Sequence, residues 1–206
     1  GESRPVAAGC NGTSTTGKIL FLVLYVGLVR NVATTAADVE WTRANIDGAQ
    51  GVGDLGVFNS GTLLEASNFG QGGGGTLNIN SVPFNNVTFP TVLSNLTGLT
   101  YNTQQTLAGT STGGSIDTLS STISFQSSVD PQTGTLTGLD PGKAYVVQAF
   151  LHHPTVSRTL TLTGGANSVT LSTRNPAQIA TGLFFADATS QSITFDANTG
   201  SQFFNG

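Results

Sequence analysis

The sequence predicts an all-β domain, and three observations carry that expectation. Apolar residues make up 37% of the 206-residue chain and fall in short runs broken by Thr, Ser and Asn, the period-2 pattern of half-buried strands. Twenty-seven glycines and recurrent turn residues punctuate those runs, which is the spacing of many short strands rather than of helices. Charged residues are only 9%, against about 25% in an average soluble domain, so hydroxyls and amides must keep the surface wet. Disorder goes with low hydrophobicity and high net charge. A chain this apolar with a net charge of −4 has neither property and is expected to fold.

Residues 1–37 stand apart. An eleven-residue apolar run, Ile19 to Val29, lies between Lys18 and Arg30. It is too short to span a bilayer, which takes about 20 residues, and it fits the apolar core of a secretory signal peptide, about 7 to 15 residues. Lys18 supplies the positive flank. The small residues of "ATTAA" suit a cut before Asp38, with Ala37 at −1 and Thr35 at −3. The competing reading buries the run as a strand or helix of the fold, and Arg30 on the far side of the run favours it. Under the signal reading, residues 1–17, with the single cysteine Cys10, are an extension, and 38–206 is one exported domain. That domain has no cysteine, and its size allows a core without disulfides. No stable membrane span is expected.

The elements follow in order. "VEWTRANI" (39–46) alternates in part and reads as a strand, and "GAQGVGDLGVFNSG" (48–61) as a Gly-rich loop. "TLLEASNF" (62–69) is a strand ended by "GQGGGG" (70–75). "TLNINSVPFNNVTF" (76–89) is strand, turn and strand, with Pro83 placing the second at an edge or bulge because proline cannot donate to a ladder. Residues 90–133 are loop with short strands, and "SIDTLSSTI" (115–123) suits one helical turn capped by Ser115. "LDPGK" is a turn with Pro141 pre-set in φ and Gly142 at positive φ. "AYVVQAFLH" (144–152), β-branched and aromatic, reads as a central strand. "RTLTLTGG" (158–165) and "NSVTLSTR" (167–174) make a hairpin, and "IATGLFFAD" (179–187) and "QSITFDA" (191–197) a second pair joined by "ATS". Such a series suggests a sandwich or barrel. No 20–50-residue repeat is present.

Three stretches carry a resemblance. "GTLLEASNFG" with "FNNVTF", "TLTGLDPGKAYVVQAFLHH", and "GLFFADATSQSITFDANTGSQFFNG" resemble an uncharacterised family of secreted β-sandwich domains of planctomycetes, verrucomicrobia and related environmental bacteria. The likeness covers about residues 38–206 by pattern. It implies an antiparallel β-sandwich of jelly-roll type, like a carbohydrate-binding module. Many members carry a carboxy-terminal sorting segment, and the family's last strand runs a few residues past the "NG", so residue 206 is expected to be a truncated end.

The chemistry-bearing residues select no active site. His152 and His153 are adjacent, so in a strand they point to opposite faces, and zinc needs three or four ligands. Packing at a strand end, with Pro154 terminating it, is the expected role. Asp38, Glu40, Asp47, Asp54, Glu65, Asp117, Asp130, Asp140, Asp187 and Asp196 are dispersed, and no pair is singled out for glycoside hydrolysis. No G-x-S-x-G elbow occurs, and "GQGGGG" lacks the Lys-Ser/Thr of a phosphate loop. The chain is therefore expected not to be an enzyme. No cofactor is expected, although a structural calcium ion on loop carbonyls and a lone Asp stays open, the alternating Asp/Asn calcium loop being absent. Seven scattered basic residues form no phosphate-tracking patch, which argues against nucleic acid. Trp41, Tyr101 and Tyr145 have the chemistry to stack on sugar rings, but core or rim packing is the preferred reading for each.

The function expected is thus a non-catalytic extracytoplasmic domain, secreted or at the cell surface, that binds glycan by edge loops or a sheet face. The alternative is a structural or adhesive surface protein that self-associates through exposed strand edges. Neither reading assigns binding residues.

Overall fold

The structure, a computed structural model, describes residues 36–46, 56–69, 75–87, 93–100, 103–106, 122–126, 130–153, 156–172, 176–198 and 202–204. Every element there is a strand: β1 (Glu40–Ile46), β2 (Ser67–Phe69), β3 (Thr76–Ile79), β4 (Val82–Val87), β5 (Leu96–Thr97), β6 (Thr103–Thr106), β7 (Thr122–Gln126), β8 (Gln132–Thr137), β9 (Ala144–Leu151), β10 (Thr159–Gly164), β11 (Asn167–Ser172), β12 (Ala177–Phe185), β13 (Ser190–Ala197) and β14 (Gln202–Phe204). They form four sheets, ordered β1-β12-β9, β11-β10-β13-β8-β5, β14-β7-β6 and β2-β4-β3. The ladders are antiparallel except for β2 on β4. The all-β expectation holds. Among the described residues no helix is long and apolar enough to cross a membrane.

Alternation builds the core. In β10 and β13 the even step puts Leu160, Leu162, Ile193 and Phe195 inside and threonines outside. The β1-β12-β9 sheet meets them with Ala149, Leu151 and Ala180 in one continuous cluster. Its opposite face, through Phe150, Ala177 and Ile179, packs on Ile79, Val82 and Phe84 of the β2-β4-β3 sheet, with Phe84 edge-on to Phe150 at 6.1 Å. The three-stranded sheet is therefore a middle layer. Burial on both faces explains why β9 reads as a nearly continuous apolar run. That run is not the mark of a central strand, because β12 holds the centre and β9 the end of the order.

Other expectations change for local reasons. β12 and β13 do not pair. β12 lies between β1 and β9, while β13 lies between β10 and β8, so the "ATS" link crosses from one sheet to the other. The "LDPGK" turn makes the same crossing in reverse, and the two links are hydrogen-bonded side by side: Leu139 N to Thr189 O, Gly142 N to Ala186 O and Ala186 N to Lys143 O. The turn itself is as expected, with Gly142 at φ +83° and Lys143 N donating to Asp140 O at 3.2 Å. β4 is central rather than an edge. Pro83 is tolerated because β2 reaches only Asn85–Val87. The strand predicted over 62–69 shortens to Ser67–Phe69. The β3–β4 hairpin forms through Asn80 and Ser81, both at positive φ (48° and 67°), the geometry that matches strand twist in two-residue turns. The β10–β11 hairpin also forms as expected. Residues 1–35 and 107–121, with most of the signal segment and of the helical turn predicted over 115–123, lie outside the described residues; Thr122 and Ile123 open β7.

Ala37 belongs to the fold. It is buried, and both its backbone groups bond the buried Gln191 side chain: Ala37 N donates to Oε1 at 3.0 Å and Nε2 donates to Ala37 O at 3.0 Å. A side-chain amide here replaces a ladder partner, and it ties the chain's entry to β13.

Candidate functional site

The sequence-nominated residues do not converge. Tyr145 is core, 2% exposed and stacked on Phe184 at 5.7 Å; its hydroxyl accepts from Asp140 N at 2.6 Å and so braces the turn. Trp41 lies between the sheets over Gly182, where an added Cβ would fall 2.7 Å from Cζ3. Its Nε1 is buried with no acceptor, so the indole is packed rather than presented. Tyr101 lies outside the described residues. His152 and His153 are buried at the end of β9. His153 Nδ1 accepts from Val156 N at 3.0 Å. Burial, then the charges of His152 and Arg158, hold its pKa below the ordinary 6.5.

The acids are structural where a partner is seen. Glu65 accepts from Ser94 N, Asn95 N and Ser67 Oγ, fastening the 93–97 strap to the segment before β2. Asp38 caps the β10–β11 turn by accepting from Ala166 N at 2.6 Å. Asp140 pairs with Lys143. Among the described residues no group of three or more His, Cys, Asp or Glu is placed to hold a metal ion.

A cavity of about 70 Å³ lies between the sheets, lined mainly by apolar side chains such as Leu136, Val147, Leu162 and Phe195. Of its polar liners, Glu65, Ser67 and Asn95 are bonded to one another and to the Leu64 carbonyl, and Gln148 Nε2 donates to Thr181 Oγ1 and Gly56 O.

The outer face of the five-stranded sheet differs from all of these. Every outward position of β8, β10, β11 and β13 is Ser or Thr except Asp196. The register aligns them in rows. One row runs Ser168–Thr163–Thr194–Thr133 across four neighbouring strands. A second runs Thr170–Thr161–Asp196, and a third Ser192–Thr135–Thr97. The strands that carry them lie about 4.8 Å apart, and residues of one face repeat about every 6.7 Å along each strand. Several hydroxyls are fixed: Thr161 Oγ1 lies 2.9 Å from Thr170 Oγ1, Thr133 Oγ1 lies 3.4 Å from Thr194 Oγ1, and Asn198 Nδ2 donates to Thr161 at 2.9 Å and Thr159 at 3.3 Å. Each hydroxyl keeps further bonding capacity, since it carries one donor and two acceptor sites.

The sheet's edges are stitched. On one side Arg43 Nη1 donates to Thr170 O at 2.7 Å, and Ser172 N donates to Gln178 Oε1 at 2.6 Å, which occupies outward groups of β11. On the other, Thr100 N donates to Gln132 Oε1 at 2.6 Å, and Gly98 at φ +87° lies against the Thr133 carbonyl where a Cβ would not fit. The alternating threonines were visible in "TLTLTG" and "TGTLT". Their alignment was not, because it depends on a strand order that skips along the sequence. Compared with known protein families, curated proteins and solved structures, the chain matches none.

Proposed function

We propose that this chain is a non-catalytic, exported β-sandwich domain, of the jelly-roll kind its resemblance implies, that binds a neutral glycan on the outer face of the five-stranded sheet. The observation that carries the reading is the ordered array of Ser and Thr hydroxyls with a single carboxylate. Hydroxyls donate and accept, as sugar hydroxyls do. A face with one charge also takes an uncharged ligand without stripping water from many ions. Each neutral bond is worth only about 0.5–1.5 kcal/mol net, so binding draws on several rows at once and is weak for short oligosaccharides.

Strand-edge assembly, the alternative, has less support. On the β11 side of the five-stranded sheet the backbone groups Thr170 O and Ser172 N are engaged by Arg43 and Gln178, a standard defence against edge pairing. A glycan array probed with the full chain tests the proposal. Retention on neutral glycans is expected. No retention, together with concentration-dependent growth in light scattering, would favour the assembling surface protein instead.

A further inference from the structure

Resting on that reading, we propose that Asp196 is the specificity-determining residue of the face, and that the ligand is a neutral polysaccharide with free neighbouring hydroxyls, two of which donate to its carboxylate. Aspartate is among the residues strands favour least, yet it stands in β13, half-buried, at the end of a row otherwise made of threonines. Its carboxylate has no ion pair or hydrogen bond among the described residues. A local rule is thus broken with no structural compensation, which is the mark of a functional position. An ionised carboxylate is acceptor-only and takes two donors readily. Bonds to it are roughly twice as strong as neutral ones.

The neighbours limit what it recognises. Thr161, its cross-strand partner, is engaged by Thr170 and Asn198, whereas both carboxylate oxygens of Asp196 are open to donors from a ligand. No basic side chain stands at the outward strand positions of the face. Uronic acids and sulfated sugars would meet the negative charge of Asp196 well inside the screening length of about 10 Å at 0.1 M salt, with Arg43 at the far end of the row, held against the Thr170 carbonyl.

Affinity electrophoresis of the full chain tests this, with retardation measured against polysaccharide-free gels. The probes are a neutral glucomannan, the same glucomannan after periodate cleavage of its vicinal diols, and the anionic alginate. Retardation by intact glucomannan alone is expected. Asp196→Asn should weaken it about fivefold, the difference between a charge-assisted and a neutral bond, and should let alginate bind. Thr163→Val with Thr194→Val, which keeps β-branched side chains in the strands, should abolish retardation with melting unchanged. Wild-type affinity in Asp196→Asn, equal retardation by cleaved glucomannan, or alginate binding by the wild type would overturn the role of Asp196 while glycan binding stands. If neither glucomannan nor a wider glycan array retains the wild type, the glycan reading fails, and the Asp196 inference with it.

Discussion

The two faces of the five-stranded sheet are made by the same strands and differ in everything else. Inward, β10 and β13 present Leu160, Leu162, Ile193 and Phe195, all nearly or fully buried. Outward, one residue away each time, they present Thr, Ser and Asp196. The inner face holds the domain together, by burial worth about 25 cal/mol per Å² of apolar area. The outer face is left open to selection for something else. Substitutions one residue apart should therefore have effects of different kind, and the contrast can be broken from its strong side first.

The largest effect is expected at Leu162, which is fully buried between the sheets. Leu162→Ala should cost about 2–5 kcal/mol, near the high end if the neighbouring cavity cannot collapse, and should appear as a lower urea midpoint with an unchanged slope. A cost below 1 kcal/mol would mean that the inner face is not the stabilising one.

Next comes the buried amide that ties the amino-terminal entry to the sheet. Gln191→Leu keeps the bulk but strips Ala37 of the partner of both backbone groups. An unsatisfied buried polar group costs about 1–3 kcal/mol, and the loss should be read as a melting decrease. Compared with a chain begun at Ala36, one begun at Asp38 should lose about as much as Gln191→Leu, because the same two bonds vanish. Processing between Ala37 and Asp38, where the small-residue pattern placed it, would carry that loss in stability.

How much of this was legible depends on what period 2 reports. It tells which residues share a face, so Leu162 in and Thr163 out could be read from "TLTLTG". It does not tell which strand lies alongside. The β10–β11 pair was readable because Gly165 and Ala166 leave a hairpin as the short route. The link between β12 and β13 is hardly longer, yet it crosses between sheets, because β12 is already enclosed by β1 and β9. Nothing local marks Gln191 or Gln132 as a side chain that bonds a backbone far away in sequence. The packing roles preferred for Trp41 and Tyr145 hold for the same reason that defeats a sugar platform there. Gly182 and the 140–143 turn make room for them inside.

A smaller effect is expected from acid, and it probes the end of β9 without touching either face. His153 is held neutral in the fold because burial, His152 and Arg158 lower its pKa below 6.5. As pH falls through 6.5 the unfolded chain takes up the proton first, so stability is lost from there down to the folded pKa and then levels. Protonation at Nδ1 would also remove the acceptor for Val156 N. The urea midpoint should be lower at pH 5.5 than at pH 7.5. His153→Gln should flatten that dependence. An unchanged pH slope in the variant would place the proton uptake elsewhere.

The smallest stability effect is the sharpest test of the comparison. Thr163 is one residue from Leu162 and lies in the longest hydroxyl row, between Ser168 and Thr194. Valine keeps its shape and its strand preference, and a surface substitution away from caps and networks usually stays within about 0.5 kcal/mol. Thr163→Val should therefore melt with the wild type. If melting falls by more than that, the hydroxyl row contributes to the fold, and its regularity needs no ligand to explain it. If melting holds while glycan retention drops, the row is present for what binds to it, because the strand's own stability never required it.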